Sequence, residues 1–241
     1  MPTYNDYGIV LNSYNFAEFD KILNIYTKQK GLVRAIAKSA RKPLGKVSGG
    51  GKVDKLSCCY FQFAKGKNLD IISECEQINN FSLLRSDLIR LTYGILFLEA
   101  VNSFAHEEES ESNHIYDLLY SSLEELQRVP NPALLSICFI TNFLSLHGFK
   151  PQLETCVSCS KEILKSKEVY PYSTILGGVI CKECANIVDH RMISHNVLEI
   201  IGKDQDSSLQ EDVHLALDLL REHVNIRAKN KINSFDLVFS L

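Results

Sequence analysis

The chain has 241 residues, of which 45% are hydrophobic and 23% charged, a balance that can bury a core and excludes a wholly disordered chain. The net charge of −3 hides an asymmetry: nine Lys and Arg face one acid between Lys28 and Lys55, so that segment carries +8 and the remainder −11. This points to an anionic partner for the N-terminal part and argues against coating of nucleic acid by the whole surface.

No run approaches the roughly 18 apolar residues of a membrane span, and residues 1–10 lack a secretory signal pattern. A cytoplasmic protein is therefore expected, with no membrane partner. In that reducing compartment the eight cysteines are not expected to form disulfides, and paired ones suggest metal.

In chain order, residues 7–13 (YGIVLNS), 19–27 (FDKILNIYT) and 32–37 (LVRAIA) read as short strands rich in β-branched and aromatic residues. Strand character returns at 56–64 and 69–74, separated by a hairpin-like turn, Lys65-Gly66-Lys67-Asn68. Five short strands suggest a small β-barrel; the OB-fold is one such barrel, but strand count alone does not separate it from others.

From Phe81 the period becomes helical. Leu84, Leu88, Leu91, Ile95 and Leu98 form one expected face, with Ser82 as N-cap. Residues 106–112 (HEEESES) read as a solvated loop, and Ile115, Leu118, Leu119, Leu123 and Leu126 mark a second helix. A third spans 133–147 between Pro132 and Gly148; it is apolar on most sides and is expected in the centre of a bundle. A cysteine segment follows over 151–185, then helical patterns at 197–201 and 213–224.

Cys156-Val-Ser-Cys159 and Cys181-Lys-Glu-Cys184 are separated by 21 residues. Each C-x-x-C can fold as a knuckle presenting two thiolates, and four thiolates complete a closed tetrahedral shell for one structural Zn²⁺. Gly177-Gly178 precedes the second knuckle, where close backbone approach needs small residues. Two readings compete. A redox C-x-x-C needs a single pair at a strand–helix junction; a catalytic zinc needs an open position, for example with His190 replacing one cysteine.

The basic segment supplies candidate nucleic-acid contacts: Arg34, Lys38, Arg41, Lys42, Lys46 and Lys52. The competing reading is a merely solvated loop. Its glycines do not make a nucleotide-binding P-loop, which would require a glycine at position 46 and Ser or Thr at position 53; Lys46 and Val53 stand there. Tyr14, Phe16, Tyr26 and Tyr60 are candidates for stacking on bases, although barrel aromatics more often fill the core. Cys58 and Cys59, as strand neighbours, should point to opposite faces. No H-E-x-x-H or G-x-S-x-G motif is present.

Several stretches carry a family resemblance. Residues 8–11 (GIVL), 16–20 (FAEFD), 26–33 (YTKQKGLV) and 37–42 (AKSARK) look like the start of a RecO DNA repair protein. Residues 146–153 (LHGFKPQL), followed by the two C-x-x-C pairs and Gly177-Gly178-Val-Ile, resemble that family's zinc insert. Ser39 departs from the pattern, which has glycine there, and Lys231-Ile-Asn-Ser234 matches the family's ending only loosely.

The resemblance implies an α+β, multi-domain protein: an N-terminal OB-fold β-barrel over 1–80, then an α-helical domain over 81–241 interrupted by a four-cysteine zinc insert at 151–185. It implies a DNA recombination mediator, not an enzyme, acting on the nucleoid after DNA damage. Such a protein binds single- and double-stranded DNA and anneals complementary strands. With the RecR ring it loads recombinase onto DNA covered by single-strand-binding protein. The alternatives are a zinc-stabilised scaffold with incidental DNA contact, and a zinc enzyme such as a deaminase, which pairs His-x-Glu with Pro-Cys-x-x-Cys.

Overall fold

In a computed structural model, residues 2–42, 53–163, 168–202 and 210–241 are described. The first element, β1 (Thr3–Phe16), is longer than its sequence pattern announced because it serves two neighbours. Its first half pairs antiparallel with β4 (Cys58–Ala64) and its second half with β2 (Asp20–Thr27). A bulge between Val10 and Asn12 bends the strand between the two pairings.

β2 pairs with β3 (Gly31–Ala37), β3 runs parallel to the start of β5 (Asp70–Asn79), and β5 returns to β4. The order β1-β2-β3-β5-β4 closes a barrel, the five-stranded OB-fold arrangement. Alternate residues fill it: Val10, Leu23, Ile25, Val33, Ala35, Phe61, Phe63 and Ile72 are buried together. Cys59 joins that core, whereas Cys58 points outward and lies 3.3 Å from the Tyr116 hydroxyl. Neighbouring strand thiols thus face opposite sides, as a two-residue period requires.

The chain divides into two compact units, residues 1–128 with 232–241, and residues 129–231. In the first, a short α1 (Ser82–Arg85) precedes α2 (Leu88–Phe104) and α3 (Ser112–Leu126). Ser82 is not the cap of the long helix. Asp87 is: its carboxylate accepts the Arg90 N–H, leaving Ser82 inside the separate first turn.

The expected face of α2 is also corrected. Leu88 is 71% exposed, and the buried residues include Tyr93, Leu96, Phe97, Leu98, Ala100 and Val101. A helix covered on several sides shows no single stripe for periodicity to find. One of its neighbours, α7 (Ser234–Val238), has too short a pattern to read from sequence; the Ser234 N–H donates to Glu99 of α2 at 3.0 Å.

The acidic stretch 106–111 is docked, not merely solvated. The Leu32 N–H donates to the His106 carbonyl, the Glu108 N–H donates to the Lys30 carbonyl, and the buried Tyr26 hydroxyl donates to Glu109 at 2.8 Å. Gly31 makes this possible. Its φ is +69°, and a Cβ there would sit 2.7 Å from the His106 carbonyl oxygen.

In the second unit, α4 (Pro132–Leu146) is capped by the Asn131 side chain, which accepts from the Ala133 and Leu134 N–H groups. It packs with α5 (His195–Gly202) and α6 (Gln210–Arg227). Between α4 and α5 lies a three-stranded sheet, β7-β6-β8: β6 (Val169–Ser173), β7 (Gly178–Val179) and β8 (Arg191–Ser194). The sequence signalled no sheet there, because its strands are two to five residues long.

α6 holds that sheet through buried polar groups. His223 Nε2–H donates to the Phe149 carbonyl at 2.8 Å, leaving Nδ1 to accept the Tyr172 hydroxyl at 3.0 Å. Arg227 donates to the Thr174 and Ile175 carbonyls in the β6–β7 turn. Arg191 of β8 pairs with Asp218 and Glu222 of α6.

These contacts can be tested at two points. Gly31→Ala forces a side chain into the left-handed region and against His106, and should cost about 1–3 kcal/mol in urea unfolding; full stability would sink this account of the turn. Burial, aided by the Arg227 charge, holds His223 down at about 4 against 6.5 for the free group. The unfolded chain therefore binds a proton first. Stability is complete above pH 6.5 and is lost as pH falls toward 4, to an extent of about 3 kcal/mol. Hydrogen exchange of α6 amides across this range should show that loss in the wild type and a flatter profile in His223→Gln.

Candidate functional site

The cysteine segment is built by backbone before any metal is considered. The first knuckle is a hairpin in which the Cys156 N–H donates to the Lys161 carbonyl and the Ser160 N–H returns to Cys156. The second closes through the Ala185 N–H to the Cys181 carbonyl, followed by a 3₁₀ turn over Cys184–Asn186. The Val157 N–H donates to Val179, and Val179 in turn to Gln152, tying the first knuckle and the segment before it to β7. Gly178 has no room for more: a Cβ would lie 2.4 Å from the Gln152 carbonyl oxygen.

The result is that Cys156, Cys159, Cys181 and Cys184 place their sulfurs within 4.8 Å of one another. Cys159 and Cys181 are 3.7 Å apart. A tetrahedral thiolate shell with bonds of roughly 2.3 Å has edges of roughly 3.8 Å, so these four residues can hold a metal ion. Ile180, Val157 and Val188 pack beside them.

The electrostatics of the shell also fit. Burial pushes the Cys156 thiol up, but N–H donors from Cys181, Ser158 and Cys159 outweigh it and bring the group to about 6. Cys181 is different: the Cys184 N–H favours its thiolate, yet Glu183 and the neighbouring thiols push it up to about 12. Peptide donors thus stabilise one thiolate, and a divalent cation would stabilise the others.

His190 is not in the cluster; its Nδ1 lies 3.0 Å from the Val188 carbonyl oxygen. The chain does contain one His-x-Glu triplet, His106-Glu107-Glu108. It belongs to the docked acidic loop and to no metal-binding group among the described residues. Thr155 and Ile180, not proline, precede the C-x-x-C pairs. The deaminase pattern is therefore incomplete.

On the barrel, Arg34 and Lys38 are exposed on and just beyond β3, and Arg41 and Lys42 are exposed in the turn that follows. Lys46 and Lys52 lie outside the described residues. The turn is fastened to the β1–β2 hairpin. The Arg41 N–H donates to the Phe19 carbonyl, its guanidinium donates to the Glu18 carbonyl at 3.2 Å, and Lys42 Nζ lies 4.6 Å from the centre of the Phe19 ring. Ser39 sits at φ +54°, a backbone conformation that favours glycine, and donates its N–H to Asp20.

This hairpin exposes Tyr14, Phe16 and Phe19, so three aromatic rings and two cations share one end of the barrel. Phe19 was missed by the sequence reading; its place at the hairpin tip was the available signal. Tyr26 is corrected: it is fully buried and bonded to Glu109, so it cannot stack on a base. Tyr60 is half-buried against Tyr7, 4.8 Å between ring centres.

Comparison with known proteins agrees with this geometry over most of the chain. The model "Recombination protein O N terminal" matches residues 1–81, and "Recombination protein O C terminal" matches residues 85–224. The chain belongs to the RecO family. Among RecO relatives, "DNA repair protein RecO" of Symbiobacterium thermophilum is 33% identical over 77% of this chain and 73% of its own length. The proteins of the same name from Dehalococcoides mccartyi and Desulforamulus reducens are 30% and 34% identical, over 88% and 77% of this chain and 81% and 70% of their own lengths. This is a DNA repair protein of the RecO family. No described helix is long and apolar enough to cross a membrane.

The metal shell yields a prediction. Cys156→Ser or Cys181→Ser should abolish stoichiometric zinc in the purified protein, measured with a chromophoric chelator. Amide protection around β7 should fall with it, because metal and local fold are coupled. Undiminished zinc in either variant would refute a four-thiolate site.

Proposed function

We propose that this protein is a non-enzymatic recombination mediator that binds single- and double-stranded DNA and anneals complementary strands. Together with RecR, it helps to load recombinase onto DNA covered by single-strand-binding protein. Residues 1–80 form the DNA-binding domain. Residues 81–241 form the helical domain, interrupted by the insert at 151–185, and provide docking surfaces for those two protein partners. Cys156, Cys159, Cys181 and Cys184 hold one structural Zn²⁺ that keeps the insert rigid. Its place of action is the cytoplasm, on the nucleoid during repair.

One observation carries the reading: Arg34, Lys38, Arg41 and Lys42 are exposed on β3 and its exit, with the last two beside Tyr14, Phe16 and Phe19. Lys46 and Lys52 continue the same basic segment in sequence. Two complementary strands repel one another through their phosphates. Cations relieve that repulsion without reading sequence, and exposed rings hold unpaired bases apart from their own strand by stacking. Family membership supports the repair role. The alternative is a zinc-stabilised scaffold whose DNA contact is incidental, and charge reversal separates the two.

The test is binding and annealing of labelled oligonucleotides across a salt titration. If four cations meet single-stranded phosphates, log affinity should fall against log salt with a slope of roughly −3. Arg41→Glu with Lys42→Glu should weaken binding at low salt by about tenfold or more and flatten that slope. Unchanged affinity and annealing in this variant, with its fold intact by circular dichroism, would favour the scaffold.

A further inference from the structure

A second group of cations on the barrel joins two members of the basic segment, Lys30 and Arg34, to two lysines outside it, Lys65 and Lys67. Lys30 of the β2–β3 turn, Arg34 of β3, and Lys65 and Lys67 of the β4–β5 turn line one cleft of about 100 Å³. Lys65, Lys67 and Arg34 are exposed. None of the four is held in an ion pair among the described residues.

The cleft is built, not accidental. Lys30 Nζ rests 4.8 Å from the centre of the Tyr4 ring. The Tyr4 hydroxyl donates to Asp70 Oδ2 at 2.5 Å, and Asp70 Oδ1 accepts the Gly66 N–H at 2.9 Å. Asp70 is 7% exposed, so its carboxylate is spent on fixing the turn that presents Lys65 and Lys67. Gly66 is required there, since a Cβ would lie 1.8 Å from the Leu69 carbonyl oxygen.

The facing wall is acidic. Glu107 and Glu108 line the same cleft. They are held by the Glu108 N–H to the Lys30 carbonyl and by the bridge between Gly31 and Glu107. Four cations therefore face two exposed glutamates, whose backbone is anchored to the barrel, across a space worth the volume of roughly three waters. That space suits a phosphate group. The one ring among its described lining residues, Tyr4, is already stacked on Phe63 at 5.0 Å.

We infer that this cleft is a second phosphate-binding subsite for a single DNA strand, and that Glu107 and Glu108 form an anionic rim that weakens it. The inference rests on the DNA-binding reading above and adds a location and a control of affinity to it. The subsite grips backbone alone and is indifferent to sequence. The rim keeps the grip loose, because a bound phosphate faces two carboxylates carried on an anchored backbone.

The experiment uses the full chain and a fluorescent dT oligonucleotide, with affinity read by anisotropy at low and moderate salt. K65E/K67E should lose about tenfold or more, and K65Q/K67Q less; E107Q/E108Q should gain about threefold or more, fading as salt rises. E74Q/E125Q removes the same charge outside the cleft and should change little. Opposite signs for the lysine and glutamate variants support the subsite. An equal gain in E74Q/E125Q reduces the rim to net charge and overturns it. Wild-type binding that both cleft variants leave unchanged overturns the subsite alone, and would leave a carboxylate-bearing protein segment as the better occupant. A wild type that binds no DNA overturns the DNA-binding reading as well.

Discussion

Closure of the barrel depends on one strand being shared. β1 pairs with β4 through residues 3–9 and with β2 through residues 8–16, so its backbone must change direction while keeping its ladder. The bulge at Val10 to Asn12 supplies the bend, and Gly8 supplies the room, since a Cβ there would lie 2.5 Å from an Ile25 methyl. Without the double pairing, the parallel contact of β3 with β5 would be a short edge of two paired residues. Every basic or aromatic residue described on the barrel is carried by this frame or by a turn between its strands.

The sequence was most legible where one element has one environment. β3 alternates buried and less buried residues along its length, and α4 carries Pro at its start and a positive-φ Gly148 after its end. It was least legible where environments overlap. α2 buries residues on several sides, so counting leucines at steps of three and four chose exposed Leu88 and half-buried Leu91. Tyr26 looked like any barrel aromatic, and its fate was set by Glu109, 83 positions away. Such a pairing leaves no local mark. The acidic loop misled for the same reason: its composition is that of a solvated segment, but its backbone, not its side chains, makes most of the contacts with the barrel.

The cysteine quartet was legible for the opposite reason. Thiolate spacing is a local property, and repetition of C-x-x-C states the geometry twice. What spacing could not supply was the support. Gly178 packs against Gln152, and His223 and Arg227 of α6 reach the strand and turn that precede the second knuckle. A metal held by the quartet would thus act on the same short sheet as the helix, one from its thiol end and one from its buried polar end. A strand pair of two residues, like β6 with β7, has too few ladder bonds to stand alone.

Under the function proposed above, a protein that brings strands together must also let the duplex go. Strong cation clusters favour capture and oppose release, since each neutralised phosphate adds to affinity. The sequence meets this with opposed charges: +8 between Lys28 and Lys55 in a chain of net −3. Under the inference above, some of that opposition has a place. Glu107 and Glu108 line the cleft with Lys30, Arg34, Lys65 and Lys67, and their backbone is anchored to the barrel's own β2–β3 turn. Carboxylates on a mobile tail would reorganise around a bound strand and lose their effect. Glutamates whose backbone is part of the scaffold stay beside the cleft, so in the inference above the repulsion they add is set by the fold.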